Sequence, residues 1–189
     1  MARLAAKRSV SPSPRASVLG ALLVLAACGG GGSAPTNSGI SGNGPAWMNK
    51  GSGQVAGERG RAFYGLGVSQ GVKGQAMRRK DADGKAREEL SAVVAAYASR
   101  LAKSSAAGDA AQEQSVAAAL KSVSQRQLAA ARIVDHFLSR DGNESALASL
   151  DLETFKASLD KAQGLGADVR EAVKAAADKA FDEGDEPKS

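Results

Sequence analysis

Between Lys80 and Ser104 the residues Ala82, Ala86, Leu90, Val94, Tyr97 and Leu101 recur at intervals of three and four, a spacing that puts them on one helical face. A second stripe, Val116, Leu120 and Val123, predicts a helix from about Asp109 to Leu128, separated from the first by Ser104–Asp109. Upstream, Arg61–Ser69 alternates apolar and aromatic residues with small ones and reads as a strand, whereas Gly51–Gly60 reads as loop. Downstream, the runs 131–138 and 144–150 flank Asp141-Gly142 and predict a β-hairpin. The second run is poor in β-branched residues, so its assignment leans on its partner. A helix is expected over 152–163. A last one should begin at Asp168, whose carboxylate would cap it with Glu171 three residues on, and turn Val173, Ala176, Ala177, Ala180 and Phe181 inward. The acidic end from Asp182 should fray.

Strand, helix, helix, hairpin, helix, helix is not the repeating βα order of a parallel sheet. It predicts an α+β domain with a small, mostly antiparallel sheet, one strand plus a hairpin, backed by long helices. Four segments follow: residues 1–27, a flexible tether over 28–44, a folded domain over 45–184 and an acidic tail over 185–189.

The first segment carries Arg3, Lys7, Arg8 and Arg15 with no acid before the apolar run 18–27. A basic stretch followed by a short apolar one is the layout of an export signal, and this run is well short of the roughly 20 residues a spanning helix requires. It ends at Cys28, the one cysteine of the chain, which excludes an intramolecular disulfide and leaves too few thiols for a cysteine-based metal site. Leu25-Ala26-Ala27-Cys28 resembles the lipobox of bacterial lipoproteins. That resemblance implies that Cys28 is acylated, that cleavage falls on its amino side, and that several acyl chains make the attachment durable, since one chain holds only marginally. In the sorting rule of Gram-negative lipoproteins an Asp after the cysteine favours inner-membrane retention, so Gly29 here implies the cell outer membrane, and a periplasm-facing domain is expected.

Composition changes meaning once the leader is set aside. Removing residues 1–27 takes four of the 25 Lys and Arg, leaving 21 against 20 acids, and the net charge falls from +5 to +1. The basic pI then belongs to the leader and is no sign of nucleic-acid binding. The tether is almost wholly Gly, Ser, Asn and Pro, and a coil of that length spans roughly 20–25 Å.

Candidate chemistry is sparse. Gly65 and Gly67 invite a dinucleotide-binding reading, but the third glycine of the fingerprint would fall at Gln70; close backbone approach in a strand explains the pair better. Asp81-Ala-Asp83-Gly84 and Arg140-Asp141-Gly142-Asn143 each resemble a calcium loop. Aligning the glycine puts Arg79 or Phe137 at the first ligand position, and Leu90 or Ala148 where the bidentate Glu belongs. His136, the sole histidine, neighbours Asp135 in a strand, where successive side chains point to opposite faces, so the two should not form a dyad. No metal, no cofactor and no enzymatic activity are expected. Arg78, Arg79 and Lys80, with Lys85 and Arg87, form one basic cluster. Residues 61–104 hold nine Lys and Arg against four acids and 105–189 hold ten against fifteen. The cluster is either a solvated face or a contact surface for anionic lipid, a cell-wall polymer, or an acidic patch on a partner or a second copy.

Pro45-Ala-Trp47, Phe63-Tyr-Gly-Leu-Gly67, Ala82-Asp-Gly-Lys-Ala86-Arg87-Glu88-Glu-Leu90, and Ile133-Val-Asp135 leading through Asp-Gly to Leu150-Asp-Leu152-Glu-Thr-Phe155 together resemble the Lpp-twenty family of small bacterial envelope lipoproteins. Phe137 and Ala146 depart from its pattern, which has other aromatics there. The resemblance implies a non-enzymatic envelope lipoprotein that works as a structural or protein-interaction module, with an envelope protein or a second copy as partner. It transfers no ligand residues. The alternative is a ligand- or cell-wall-binding regulator that activates an envelope enzyme.

Overall fold

A computed structural model describes residues 44–57 and 60–185. Cys28, the export-signal segment and the tether up to residue 43 lie outside the described residues, as does the tail from 186. The chain divides into two units, Met1–Thr36 and Asn37–Ser189, and every described residue belongs to the second.

The described elements are α1 (Ala46–Lys50), β1 (Gly53–Gly57), β2 (Gly60–Ser69), α2 (Gln75–Ser105), α3 (Ala110–Ala129), β3 (Arg132–Leu138), β4 (Glu144–Asp151), α4 (Leu152–Leu159) and α5 (Ala167–Asp185). The fold is α+β, as the element order predicts. The strands form one antiparallel sheet in the order β1-β2-β4-β3. It has one strand more than expected: β1 pairs Gly53–Gly57 against Gly60–Tyr64, where the sequence reads as loop. The hairpin forms, and its second strand becomes central. Pairing on both sides, together with burial of most of β4, substitutes for its missing β-branched residues.

Packing on the inner face follows from small residues. A Cβ on Gly65 would strike the Ala86 carbonyl and the Leu90 backbone, and one on Gly67 would strike the backbone of Ala82 and Ala86. Both glycines therefore exist for close approach of β2 to α2, which in turn presents Ala82 and Ala86 there, fully buried. Beyond this glycine–alanine seam the interface opens, and Phe63, Tyr97, Phe155 and Phe181 fill it. Ring centroids lie 4.9 Å (Phe63–Tyr97), 5.2 Å (Phe63–Phe181) and 5.4 Å (Tyr97–Phe155) apart, and one ring comes from each of β2, α2, α4 and α5. The Tyr97 hydroxyl, buried with its ring, donates to the Ala177 carbonyl at 3.1 Å. Val116, Leu120 and Val123 bury α3 against the same core.

Several boundaries differ from expectation. The long helix starts at Gln75, not near Lys80, because Gln-Ala-Met-Arg-Arg-Lys is good helix former but buries too little to leave an apolar stripe. Asp81 and Asp83 consequently lie past its first turn rather than in it. The helix expected to reach Gln163 stops at Leu159, and the chain turns through Gly164 at φ +85°. The last helix begins at Ala167, so Asp168 is in its first turn, where a carboxylate favours the helix dipole, instead of at the cap. It also continues through Asp182 to Asp185, where fraying was expected. There Gln54 donates to the Phe181 carbonyl and Arg100 to that of Ala180, satisfying acceptors of the final turns.

Candidate functional site

The basic cluster sits where α2 overruns the sheet. β2 ends at Ser69, which pairs with Glu144, and Glu144 pairs with Leu138, so the end of β2, the start of β4 and the end of β3 share one rim. The 70–74 segment leads from that rim into α2, whose first residues project beyond the packed core. Lys80 is exposed with no side-chain partner among the described residues, Arg78 is half-buried, and Arg79, though exposed, is engaged.

Arg79 donates through Nη2 to Nδ1 of His136 at 2.9 Å, and Nε2 of the same ring lies 2.6 Å from Oδ1 of Asp83. A guanidinium has only donors, so Nδ1 must accept and Nε2 must carry the proton given to Asp83. Both ring nitrogens are thereby committed within the protein, which leaves no lone pair for a substrate proton. The arrangement ties edge strand β3 to α2. Sequence reasoning missed the contact because its members are 53 and 57 residues apart. It was right about Asp135, which lies on the opposite sheet face and accepts from the Trp47 indole at 2.8 Å.

The other charges at this rim are partly paired. Asp81 meets Lys85 at 2.8 Å, and that ammonium holds the carboxyl below the usual aspartate value. Glu144 is buried, and its Oε2, like Nε of Arg78, makes no hydrogen bond among the described residues.

The sequence halves are less opposed in space than along the chain. Arg61, from the basic half, bridges Asp178 at 2.7 Å and Asp182 at 3.1 Å in the acidic half. Lys156 meets Glu153 and Asp178, each at 3.1 Å, and Lys174 meets Asp160 and Glu171. Lys156 and Lys174 belong to the acidic half itself, so of these cations only Arg61 lowers its excess, and that half keeps most of its net negative charge.

On the opposite face of the sheet α1 roofs a cleft of about 500 Å³. Its floor includes Val55, Tyr64 and Leu147, its wall Trp47 and Lys50, and Asp135 and Asp151 stand at its edge. The volume and mixed lining suit a small ligand or a side chain. Among the described residues no group of three or more His, Cys, Asp and Glu is placed to hold a metal ion, and no helix is long and apolar enough to cross a membrane.

No family model matches the chain, and no curated protein or solved structure matches it.

Proposed function

We propose that the chain is a non-enzymatic, lipid-anchored lipoprotein of the cell outer membrane, its α+β domain facing the periplasm and working through contact with an envelope protein or a second copy. The observation that carries this reading is Leu25-Ala26-Ala27-Cys28 at the end of a short apolar run preceded only by basic charge. The likeness to the Lpp-twenty family rests on the quoted stretches and adds the envelope role. The closed hydrogen-bonding of His136 supports a non-catalytic use of the sole histidine.

The experiment is fractionation of cells carrying Cys28→Ser. The substituted protein should leave the membrane for the periplasm or accumulate unprocessed; membrane fractionation identical to wild type would defeat the reading. Crosslinking in intact cells, with capture and identification of what is joined, would then name the partner. A second reading, a ligand- or cell-wall-binding regulator, is favoured by one observation, the aromatic-walled cleft under α1. A Trp47 fluorescence change on adding cell-wall fragments would move the balance to it, because Trp47 is the one tryptophan.

A further inference from the structure

We propose that the rim built from residues 70–80 and the β3–β4 turn docks directly on an anionic lipid bilayer. The inference rests on the lipid-anchor reading for which bilayer that is, and on three independent features of the domain for the docking itself.

The first is charge. Lys73, Arg78, Arg79, Lys80 and Arg140 lie on this rim or at its turn, and four of the five are exposed. Of the carboxylates nearby, Asp81 is paired with Lys85, Asp83 keeps its charge while accepting from the neutral His136 ring, Glu144 is buried and Asp141 stands exposed in the turn, so the cations still outnumber the acids here. A cluster of cations beside an anionic leaflet gains attraction from each member within a Debye length.

The second is apolar surface in the same place. Met77 and Leu138 are 60% and 52% exposed, and they are two of the three large hydrophobic residues standing out among the described residues. Met77 shares a helix face with Lys80, three positions on, and the Arg79–His136 contact brings this turn of α2 to the end of β3, where Leu138 stands two positions past His136. The two apolar side chains therefore belong to the same end as the cations. Apolar residues set among Lys and Arg are the composition of a surface that dips into the headgroup region. An acidic protein or polymer would need the charges and not the methionine and leucine.

The third is where the chain enters. A Cβ on Gly44 would lie 3.6 Å from the Phe137 ring, and Phe137 adjoins Leu138. The segment leading back to Cys28 thus joins the domain next to this rim and not at the far end of the sheet, near Asp151. A tether of that length spans roughly 20–25 Å. It would hold the rim at a high effective concentration over the lipid, so modest intrinsic affinity suffices.

The test uses the mature chain from residue 28 with Cys28→Ser, so that no acyl group contributes, sedimented with phosphatidylglycerol–phosphatidylcholine vesicles or with pure phosphatidylcholine vesicles. Binding to the anionic vesicles alone, weakening with salt, is expected. Lys73→Glu/Lys80→Glu/Arg140→Glu alters exposed side chains that make no hydrogen bond or ion pair among the described residues; it should lower the partition coefficient by about a hundredfold or more. Met77→Asn/Leu138→Asn should lower it by about tenfold or more. The parent has no other cysteine, so Met77→Cys carries a single environment-sensitive fluorophore, which should shift to the blue on anionic vesicles, while one at Lys121→Cys on α3 should not. Equal binding to both vesicle types, no binding to either, or a Met77/Leu138 variant that binds like wild type would overturn the proposal. The last result would identify a charge-only surface for an acidic macromolecule. These outcomes are separate from the anchor reading, which stands or falls with fractionation of Cys28→Ser in cells.

Discussion

The two ends of the α2–sheet interface are built on opposite principles. Over Ala82 to Val94 the helix lies on glycine, alanine and aromatic rings, with backbone against backbone and side chains that have nowhere to move. Around Arg79, Asp81, Asp83 and His136, at and just before the start of that stretch, the same helix is held on its flank by polar contacts between half-buried or exposed groups. Shape decides the first end, because a methyl group has no place to go there. Charge and hydrogen bonding decide the second, where water competes for every contact. The first should therefore be intolerant of volume and indifferent to salt and pH, and the second the reverse.

The most damaging way to break the first end is to empty its aromatic cluster. Phe63→Ala should cost about 3–5 kcal/mol, read as the loss of denaturation midpoint in urea. Filling the seam should be nearly as severe. Gly67→Ala places a methyl into the α2 backbone, which cannot rotate aside, and should cost about 3 kcal/mol, whereas Gly142→Ala in the exposed turn meets no atom within 4 Å and is strained only by its φ of +78°. Equal losses at the two glycines would mean that the seam is not close-packed.

Tyr97 gives the pH arm. Burial, helped by the charge of Asp178, pushes its hydroxyl above the ordinary value of 10.0. For an acid whose folded value is raised, the unfolded chain releases the proton first, so stability is unaffected below about pH 10 and falls as pH climbs past it. The slope approaches about 1.4 kcal/mol per pH unit. In a Tyr64→Phe background Tyr97 is the remaining tyrosine. Its phenolate absorbance should appear only together with the unfolding transition; phenolate in a folded protein near pH 10 would show that the ring is not sealed in the core.

At the polar end the effects shrink. His136→Ala removes the tie between β3 and α2 and leaves Asp83 without its donor, which should cost about 1–2 kcal/mol, with faster amide exchange confined to β3 as the sharper readout. Reversing Arg78, Arg79 and Lys80 together should not be neutral, because Arg79 serves His136 and Arg78 has a buried Nε. Lys73, Lys80 and Arg140 are the clean positions, each expected to change stability by under about 0.5 kcal/mol.

How much of this was legible in the chain depends on range. The stripes of α2 and α3, the hairpin around Asp141-Gly142 and the inward residues of α5 follow from periodicities that local geometry imposes, and the role of Gly65 and Gly67 follows from the steric needs of any strand laid on a helix. The same applies to the contrast between His136 and Asp135, which the alternation of a strand requires. The sequence by itself also determined how charge and apolar surface are distributed, and with them the case for an anchor at Cys28. Only the tertiary structure decided the rest. β1 has too few apolar residues to announce itself and exists because β2 offers an edge, while Gln54 finds a carbonyl on α5 127 residues away. The first turn of α2 persists without burying an apolar stripe, α1 becomes a roof only because a sheet face lies beneath it, and the partners of His136 are chosen by the crossing of β3 and α2. A polar contact between distant residues leaves no periodic trace, since neither member needs a particular neighbour in sequence; its geometry comes into being only when the chain has closed.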